Sequence, residues 1–206
     1  MNLNFNNLDK DKVFLTSDPH FWHSNIIKYC KRPFSNVEEM NDILIKNIND
    51  TVPADALLFI VGDFAFTGST NAIRVLSERI IPKIVLIYGN HCHQNKLFKE
   101  TKTQYFLHAT ERLKISIKDD EVHGGMQEII LDHYPGIVWN GSHRGTWQAF
   151  GHVHLNGEVS TSLDASYVRS RMSANQYDVG VDNNNYTPIS YEELKTIITI
   201  QNIERM

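Results

Sequence analysis

Asp18, His20, Asp63, Asn90, His91, His133, His152 and His154 share one property: each lies at the end of a short apolar run. The clusters read Asp18-Pro19-His20, Gly62-Asp63, Gly89-Asn90-His91, Asp132-His133 and Gly151-His152-Val153-His154. Carboxylates, amides and imidazoles are costly to bury unless something pairs with them, and a divalent cation suits all three. One zinc needs three or four ligands; seven candidates, Asp18, His20, Asp63, Asn90, His133, His152 and His154, point to two ions. Their mixture of carboxylate, amide oxygen and imidazole suits Mn, Fe, Zn or Ni. Asp63 has two oxygens and can bridge a pair. A glycine before Asp63, Asn90 and His152 lets the chain turn sharply and lets metal or substrate come close. Taken singly, Asp63 and Asn90 are ordinary turn residues; the ordered set is what points to metal.

The elements that must position these residues read as an α/β alternation. "KVFLT" (12–16), "ALLFIVGD" (56–63) and "KIVLIYGN" (83–90) are apolar runs of strand length, as expected for strands buried on both faces. Between them, "SNVEEMNDILIKNIND" reads as a helix with Val37, Met40, Ile43, Leu44 and Ile48 on one face and a capping box of Ser35 with Glu38. "NAIRVLSERI" reads as a second helix, and "SNIIKYC" as a short helical turn started by Ser24. Such an alternation predicts parallel neighbours, with ligands gathered at the carboxyl ends of the strands. The second half changes to strand candidates joined by polar turns: "QYFLHAT", "RLKISIK", "MQEIILDHYP", "WQAFGHVH" and "QYDVGVD". Residues 155–176 read as a long surface excursion. "ISYEELKTIITI" opens as a helix with Ser190 and Glu193 as a capping box, although its β-branched tail also suits a strand.

At 206 residues, 41% hydrophobic and 21% charged, the chain predicts one globular domain over 1–206. A net charge of −4 argues against a protein built mainly to grip long nucleic acid. Two cysteines, Cys30 and Cys92, give no disulfide framework, and no apolar run approaches a membrane span. The expectation is a soluble protein of the reducing cytoplasm.

The order D-P-H, G-D, G-N-H, a lone histidine in "DHYP", then G-H-V-H resembles the calcineurin-like metallophosphoesterase superfamily, from Asp18 to His154. The resemblance implies a four-layer αββα sandwich of two mixed β-sheets flanked by helices, with a dinuclear centre at the strand ends. It implies Asp18, His20 and His154 on one metal, Asn90, His133 and His152 on the other, and Asp63 bridging. His91 matches the histidine that contacts the scissile phosphate and aids the leaving group. Two departures stand out. Cys92 follows the G-N-H motif where the family commonly carries an acid, and "GDFAFTG" lacks the aspartate that some protein phosphatases place there. No carboxylate is therefore evident to orient His91.

The implied activity is hydrolysis of phosphate esters, as a phosphodiesterase or phosphatase on small molecules such as nucleotides or cyclic nucleotides. Two ions about 3.5–4 Å apart would acidify a water and clamp the phosphoryl oxygens. A nuclease is the alternative, disfavoured by the acidic balance. A binding scaffold that has lost its chemistry ranks last, because every ligand position and His91 are filled. Expected partners are a small phosphorylated substrate and no membrane. Further candidates for substrate contact are His23 and Asn25 beside the first motif, Arg32 in "CKRPF", and His143 with Arg144 in a loop expected to overhang the site. Each also has a plainer reading: Asn25 as part of the first turn of a helix, His23 as a solvated loop residue, and Arg32 as a solvated surface cation before a proline.

Overall fold

In the computed structural model, which describes residues 4–93, 105–155 and 163–205, the strands form two five-stranded mixed sheets. Strands β1 to β10 span Leu8–Asp9, Val13–Thr16, Leu57–Val61, Lys83–Ile87, His108–Thr110, Arg112–Lys118, Met126–Asp132, Trp147–Phe150, Gln176–Asp178 and Ile189–Ser190. One sheet has the order β10-β2-β3-β4-β5, parallel except for β10. The other has the order β1-β6-β7-β8-β9, with only the β6–β7 pair antiparallel.

Strand side chains alternate between faces, and here the alternation builds two cores. Leu58, Ile60, Ile84 and Leu86 face the helices α2 (Val37–Thr51) and α3 (Thr70–Arg79), meeting Met40, Leu44, Ile48, Ile73 and Leu76. Phe59, Val61, Val85 and Ile87 point the other way, onto Ile115, Ile117, Ile129, Leu131 and Ala149 of the second sheet. Both faces of β3 and β4 are thus apolar, which is why their sequences run without a polar break. The second sheet is more polar outside. Lys114 pairs with Glu128 there, and Gln176 donates to Gln148 at 2.7 Å. Phe150, Val153 and Leu155 are covered on that side by Ala165, Val168 and Met172, the first two from a short helix, Leu163–Arg171.

Some boundaries differ from the sequence expectation. The cap of α2 is Asn36: its side chain accepts from the Glu39 amide at 2.8 Å, while Glu39 accepts from the Ser35 amide at 2.6 Å. The cap is therefore displaced one residue from Ser35, and Glu39 reaches past it to the Ser35 amide, so the reciprocal pair expected of Ser35 and Glu38 is absent. Of "QYFLHAT", only His108–Thr110 pairs as a strand, and Gln104 lies outside the described residues. The excursion 155–176 contains the helix Leu163–Arg171; residues 156–162 lie outside the described residues. The closing helix runs from Tyr191 to Glu204 with the Ser190–Glu193 capping box in place, so its β-branched tail is helical. The first helix, α1 (Ser24–Tyr29), is short and has His23 at its cap position, with no side-chain cap bond.

Candidate metal centre

The parallel strands deliver their carboxyl ends to one edge of the sandwich, and the loops that leave them stay zipped together. The Asp18 amide donates to Gly62 O at 3.2 Å, the His20 amide to Asp63 O at 3.0 Å and the Phe21 amide to Phe64 O at 3.0 Å. In the second sheet the Gly151 amide donates to His133 O at 3.1 Å. The sheets are stitched to each other at the same edge: the His152 amide donates to Asp18 Oδ2 at 2.9 Å, and the Val181 amide to Ser17 O at 3.0 Å.

This framework gathers overlapping groups of donor atoms, His20, Asp63 and His91 forming one and Cys30, His154 and Asp182 another, but two sets match the sequence expectation. Asp18, His20 and His154 place ligand atoms within 4.8 Å of one another, and so do Asp63, His133 and His152. Asn90 Oδ1 lies 3.1 Å from His133 Nε2 and joins the second set. Asp63 reaches across both: its Oδ2 is 3.5 Å from His133 Nε2, 3.7 Å from His20 Nε2 and 3.9 Å from His91 Nε2.

The donor set fits cations. Asp18 Oδ1 and His20 Nε2 are buried with no hydrogen-bond partner, 3.7 Å apart. Buried polar atoms of that kind call for an explanation, and an ion between them supplies one. His133 Nδ1 faces the Val61 carbonyl at 2.9 Å, so that nitrogen carries the hydrogen and Nε2 turns its lone pair toward Asn90 Oδ1 and Asp63 Oδ2. Lone pair facing lone pair is repulsive until a proton or a metal enters. In the metal-free chain a proton does so. Burial opposes charge on His133, but Asp18 and Asp63 outweigh it and push the imidazole up to about 9. His154 is likewise raised, against burial, by Asp182 first and then by other neighbours including Asp18. Asp18 is held well below the usual carboxylate range despite its burial, by His133, His20 and His154.

The backbone is strained at this centre. Asp18, His20, Asp63, His152 and His154 all have left-handed φ, from 42° to 71°. Each such residue costs about 1–3 kcal/mol and persists only where its surroundings over-determine it. Two glycines make the packing possible. A Cβ on Gly62 (φ 111°) would lie 1.9 Å from His133 Nδ1, and one on Gly151 would lie 2.1 Å from Asp18 Oδ2. Their room is taken by ligand side chains rather than by metal or substrate.

The other expected residues divide. His91 is at the mouth, its amide donating to Asp63 Oδ1 at 3.0 Å and its ring edge-on to His20 and Phe66. Cys92 faces away into the first core at 1% exposure, where burial pushes its thiol up to about 12. His23 stands behind His20, Nδ1 to Nδ1 at 3.2 Å, and stacks on Phe66 at 4.5 Å. Burial and the neighbouring His20, His91 and Arg32 push it down to about 4, so it is neutral and can accept the His20 hydrogen. Asn25 is exposed on the first turn of the short helix, outside the ligand sets.

Arg32 and the pair His143 and Arg144 are corrections. Arg32 is buried at 3% exposure and ion-paired with Asp182 at 2.8 Å, so it does not present itself to a substrate. His143 and Arg144 are exposed in a 3-10 turn at the opposite end of the second sheet, because the connection from β7 to the parallel β8 carries the chain back to the strands' amino ends. Gly145 O accepts there from Gln127, six residues before His133, which places the turn roughly 20 Å from the ligands.

Sequence reasoning missed Asp182, whose Oδ2 accepts from His154 Nδ1 at 2.6 Å, and Asp178, which accepts from the Leu155 and Gly180 amides. The available signal was "QYDVGVD", one more apolar run that closes on Gly-x-Asp.

A family model described as calcineurin-like phosphoesterase matches residues 12–181. An uncharacterized protein of Methanocaldococcus jannaschii, MJ1445, is 32% identical over 188 residues, 91% of each chain. The crystal structure of AQ665, a protein of unknown function from Aquifex aeolicus, is similar with a TM-score of 0.63 at 23% identity, over 90% of this chain and 98% of its own. A Pseudomonas putida nuclease, MPE, is similar more loosely, with a TM-score of 0.41 at 16% identity over 70% of this chain and 61% of its own, which carries no weight for function.

Proposed function

The chain belongs to the calcineurin-like phosphoesterase family, and from that premise we propose that it hydrolyses phosphate esters of small molecules, nucleotides and cyclic nucleotides among them. The observation that carries the reading is Asp63 Oδ2 lying within 3.9 Å of imidazole nitrogens from both ligand sets, beside two orphaned buried atoms. Asp18, His20 and His154 would hold one divalent ion, manganese being the first choice, and Asn90, His133 and His152 the other, with Asp63 between them. Such a pair supplies positive charge to the phosphoryl oxygens and lowers the pKa of a water.

The chain's own residues do the rest. The Ser17 hydroxyl, 2.7 Å from Asp18 Oδ2, and the His152 amide hold one oxygen of Asp18, leaving Oδ1 for the ion. His91 is partly exposed at the mouth, where its ring can hand a proton to the departing oxygen. Phe66 beside His91 and Tyr134 against His152 are half-exposed rings on either side of the ligands, suited to the organic groups of an ester. A long nucleic acid is disfavoured, because Arg32 is buried in an ion pair and Arg144 lies at the far end of the sheet. Among the described residues no helix is long and apolar enough to cross a membrane. We place the chain as one catalytic domain, residues 1–206, in the cytoplasm.

The test is a screen of phosphodiesters, monoesters, cyclic nucleotides and short DNA with added Mn, Ni, Fe or Zn. Bis(p-nitrophenyl) phosphate should turn over with Mn²⁺ and stop with a chelator; no turnover with any metal would sink the reading. Asp63→Asn should abolish activity, and an active variant would show the ligand assignment to be wrong.

A further inference from the structure

Among the described residues Arg32 is the one buried arginine or lysine. Every N–H of its guanidinium has an acceptor. Nε donates to Asp182 Oδ1 at 2.8 Å, and Nη2 donates to Asp182 Oδ2 at 2.8 Å and to Asp18 O at 2.8 Å. Nη1 donates to Pro19 O at 2.9 Å and to Met40 Sδ at 3.5 Å. None is left for a substrate phosphate. Asp182 Oδ2 accepts in addition from His154 Nδ1.

The consequence is a continuous link between two strand ends on different sheets. The Asp18–His20 turn leaves β2 of the first sheet, and His154 leaves β8 of the second. Arg32 grips the backbone of that turn through the carbonyls of Asp18 and Pro19, where Asp18 has a strained φ of 55°. Through Asp182 the same guanidinium fixes the His154 ring, so that Nε2 presents its lone pair toward Asp18 Oδ1, 3.9 Å away. A carboxylate behind a ligating histidine sets its tautomer and orientation. The other ligand set is supported differently: His133 is fixed by the Val61 carbonyl and Asn90 meets His133 directly.

We infer that Arg32 and Asp182 are a pair of positioning residues that preset the Asp18–His20–His154 ligand set, so that breaking the pair weakens one ion of the two. The inference rests on the dinuclear reading above. It replaces substrate contact as the role of Arg32. A lysine cannot serve, because it lacks the planar fork that meets both Asp182 oxygens and both carbonyls.

The experiment titrates Mn²⁺ into metal-free wild type, Arg32→Lys, Asp182→Asn and the double variant by calorimetry, with electron paramagnetic resonance of each loaded protein. Circular dichroism melts in chelator confirm folding. Wild type should bind two ions with the spectrum of an exchange-coupled pair. Each single variant should bind one ion at wild-type affinity and the other about 10–100-fold more weakly, with the six-line spectrum of isolated Mn²⁺ at one equivalent. The double variant should be no weaker than the worse single one, since both break the same link. Should Asp182→Asn fail to fold, Arg32→Lys and Asp182→Glu carry the same comparison.

Retention of both ions and the coupled spectrum would overturn the inference, most directly if Arg32→Lys then raised KM alone. Equal weakening of both ions would also overturn it, by showing a general loosening. A wild type that binds no divalent ion would overturn the dinuclear reading together with the inference. A wild type that binds two ions but cleaves no ester would remove the hydrolase reading and leave the positioning role standing.

Discussion

His133 gives its Nδ1 hydrogen to the Val61 carbonyl and His154 gives its own to Asp182, and this decides which nitrogen remains for a cation. His91 is different. Among the described residues the acid facing its ring is Asp63, at 3.9 Å, and the same oxygen of Asp63 also faces His133 and His20. Its contribution should therefore be that of a proton donor at the mouth rather than of a ligand: His91→Ala should keep both ions and lower kcat about 10²-fold, read by metal titration and steady-state kinetics on one preparation. Loss of an ion would make it a ligand instead. That Asp18, His20, Asp63, His133, His152 and His154 gather at one edge was legible in the sequence because each closes an apolar run, so that one-dimensional position reports a shared edge. Arg32 and Asp182 were not, because their meaning is a contact between residues 150 positions apart. The expectation for Arg144 failed for a related reason, since nothing local says that the loop after His133 runs back along the sheet.

At the scale of elements, strand ends and helix caps carry distinct and separable costs. Gly62 lets β3 finish directly against the His133 ring, with a φ of 111° that an L-residue tolerates poorly. Gly62→Ala should displace His133 and lower stability by about 1–3 kcal/mol, with Mn²⁺ affinity at the Asn90–His133–His152 set falling about 10-fold or more; urea unfolding and metal titration measure the two effects. A variant that keeps both properties would mean the strand end has slack that the packing does not show. The cap of α2 offers a purely structural contrast. Asn36→Ala removes the side chain that accepts from the Glu39 amide and should cost about 1 kcal/mol. Ser35→Ala should stay within about 0.5 kcal/mol, because Ser35 contributes its amide to Glu39 rather than its hydroxyl to the cap. The periodic apolar face located this helix in the sequence; its start slipped by one because "SNVEE" offers two adjacent residues able to cap and two adjacent acids. The strands of the first sheet were readable as apolar runs. The outward face of the second sheet was not, since Gln148 and Gln176 are buried there through hydrogen bonds that no hydrophobic pattern announces.

Over the whole molecule, the two sheets are joined at one end by the ligand loops and elsewhere by the closing helix, Tyr191–Glu204. This helix inserts Tyr191, Leu194 and Ile198 into the core between the sheets, each worth about 1.5–3 kcal/mol of burial. It meets β10 and β2 of one sheet and β9 of the other. Its polar anchor is Asp119, at the end of β6, whose Oδ2 accepts from the Tyr191 hydroxyl at 2.7 Å and from Lys195 Nζ at 2.7 Å. Burial opposes the charge on Asp119, yet Lys195 and Tyr191 outweigh it and hold the carboxyl at about 2. The folded value lies below the unfolded value of about 3.9, so the unfolded chain binds the proton more readily. The stabilisation is therefore complete above about pH 4 and is lost as pH falls from there through about 2. Asp119→Asn should lower stability at pH 7 by about 1–3 kcal/mol, the range for a hydrogen bond to a charged group, and should flatten the fall in stability between about pH 4 and pH 2 relative to wild type. Urea unfolding of the metal-free protein across that range, followed by tryptophan fluorescence from Trp147 stacked on Tyr191, reads both effects. An unchanged acid limb would mean that the helix is held by its apolar residues alone, and that the two sheets stay joined on that side without the Asp119 anchor.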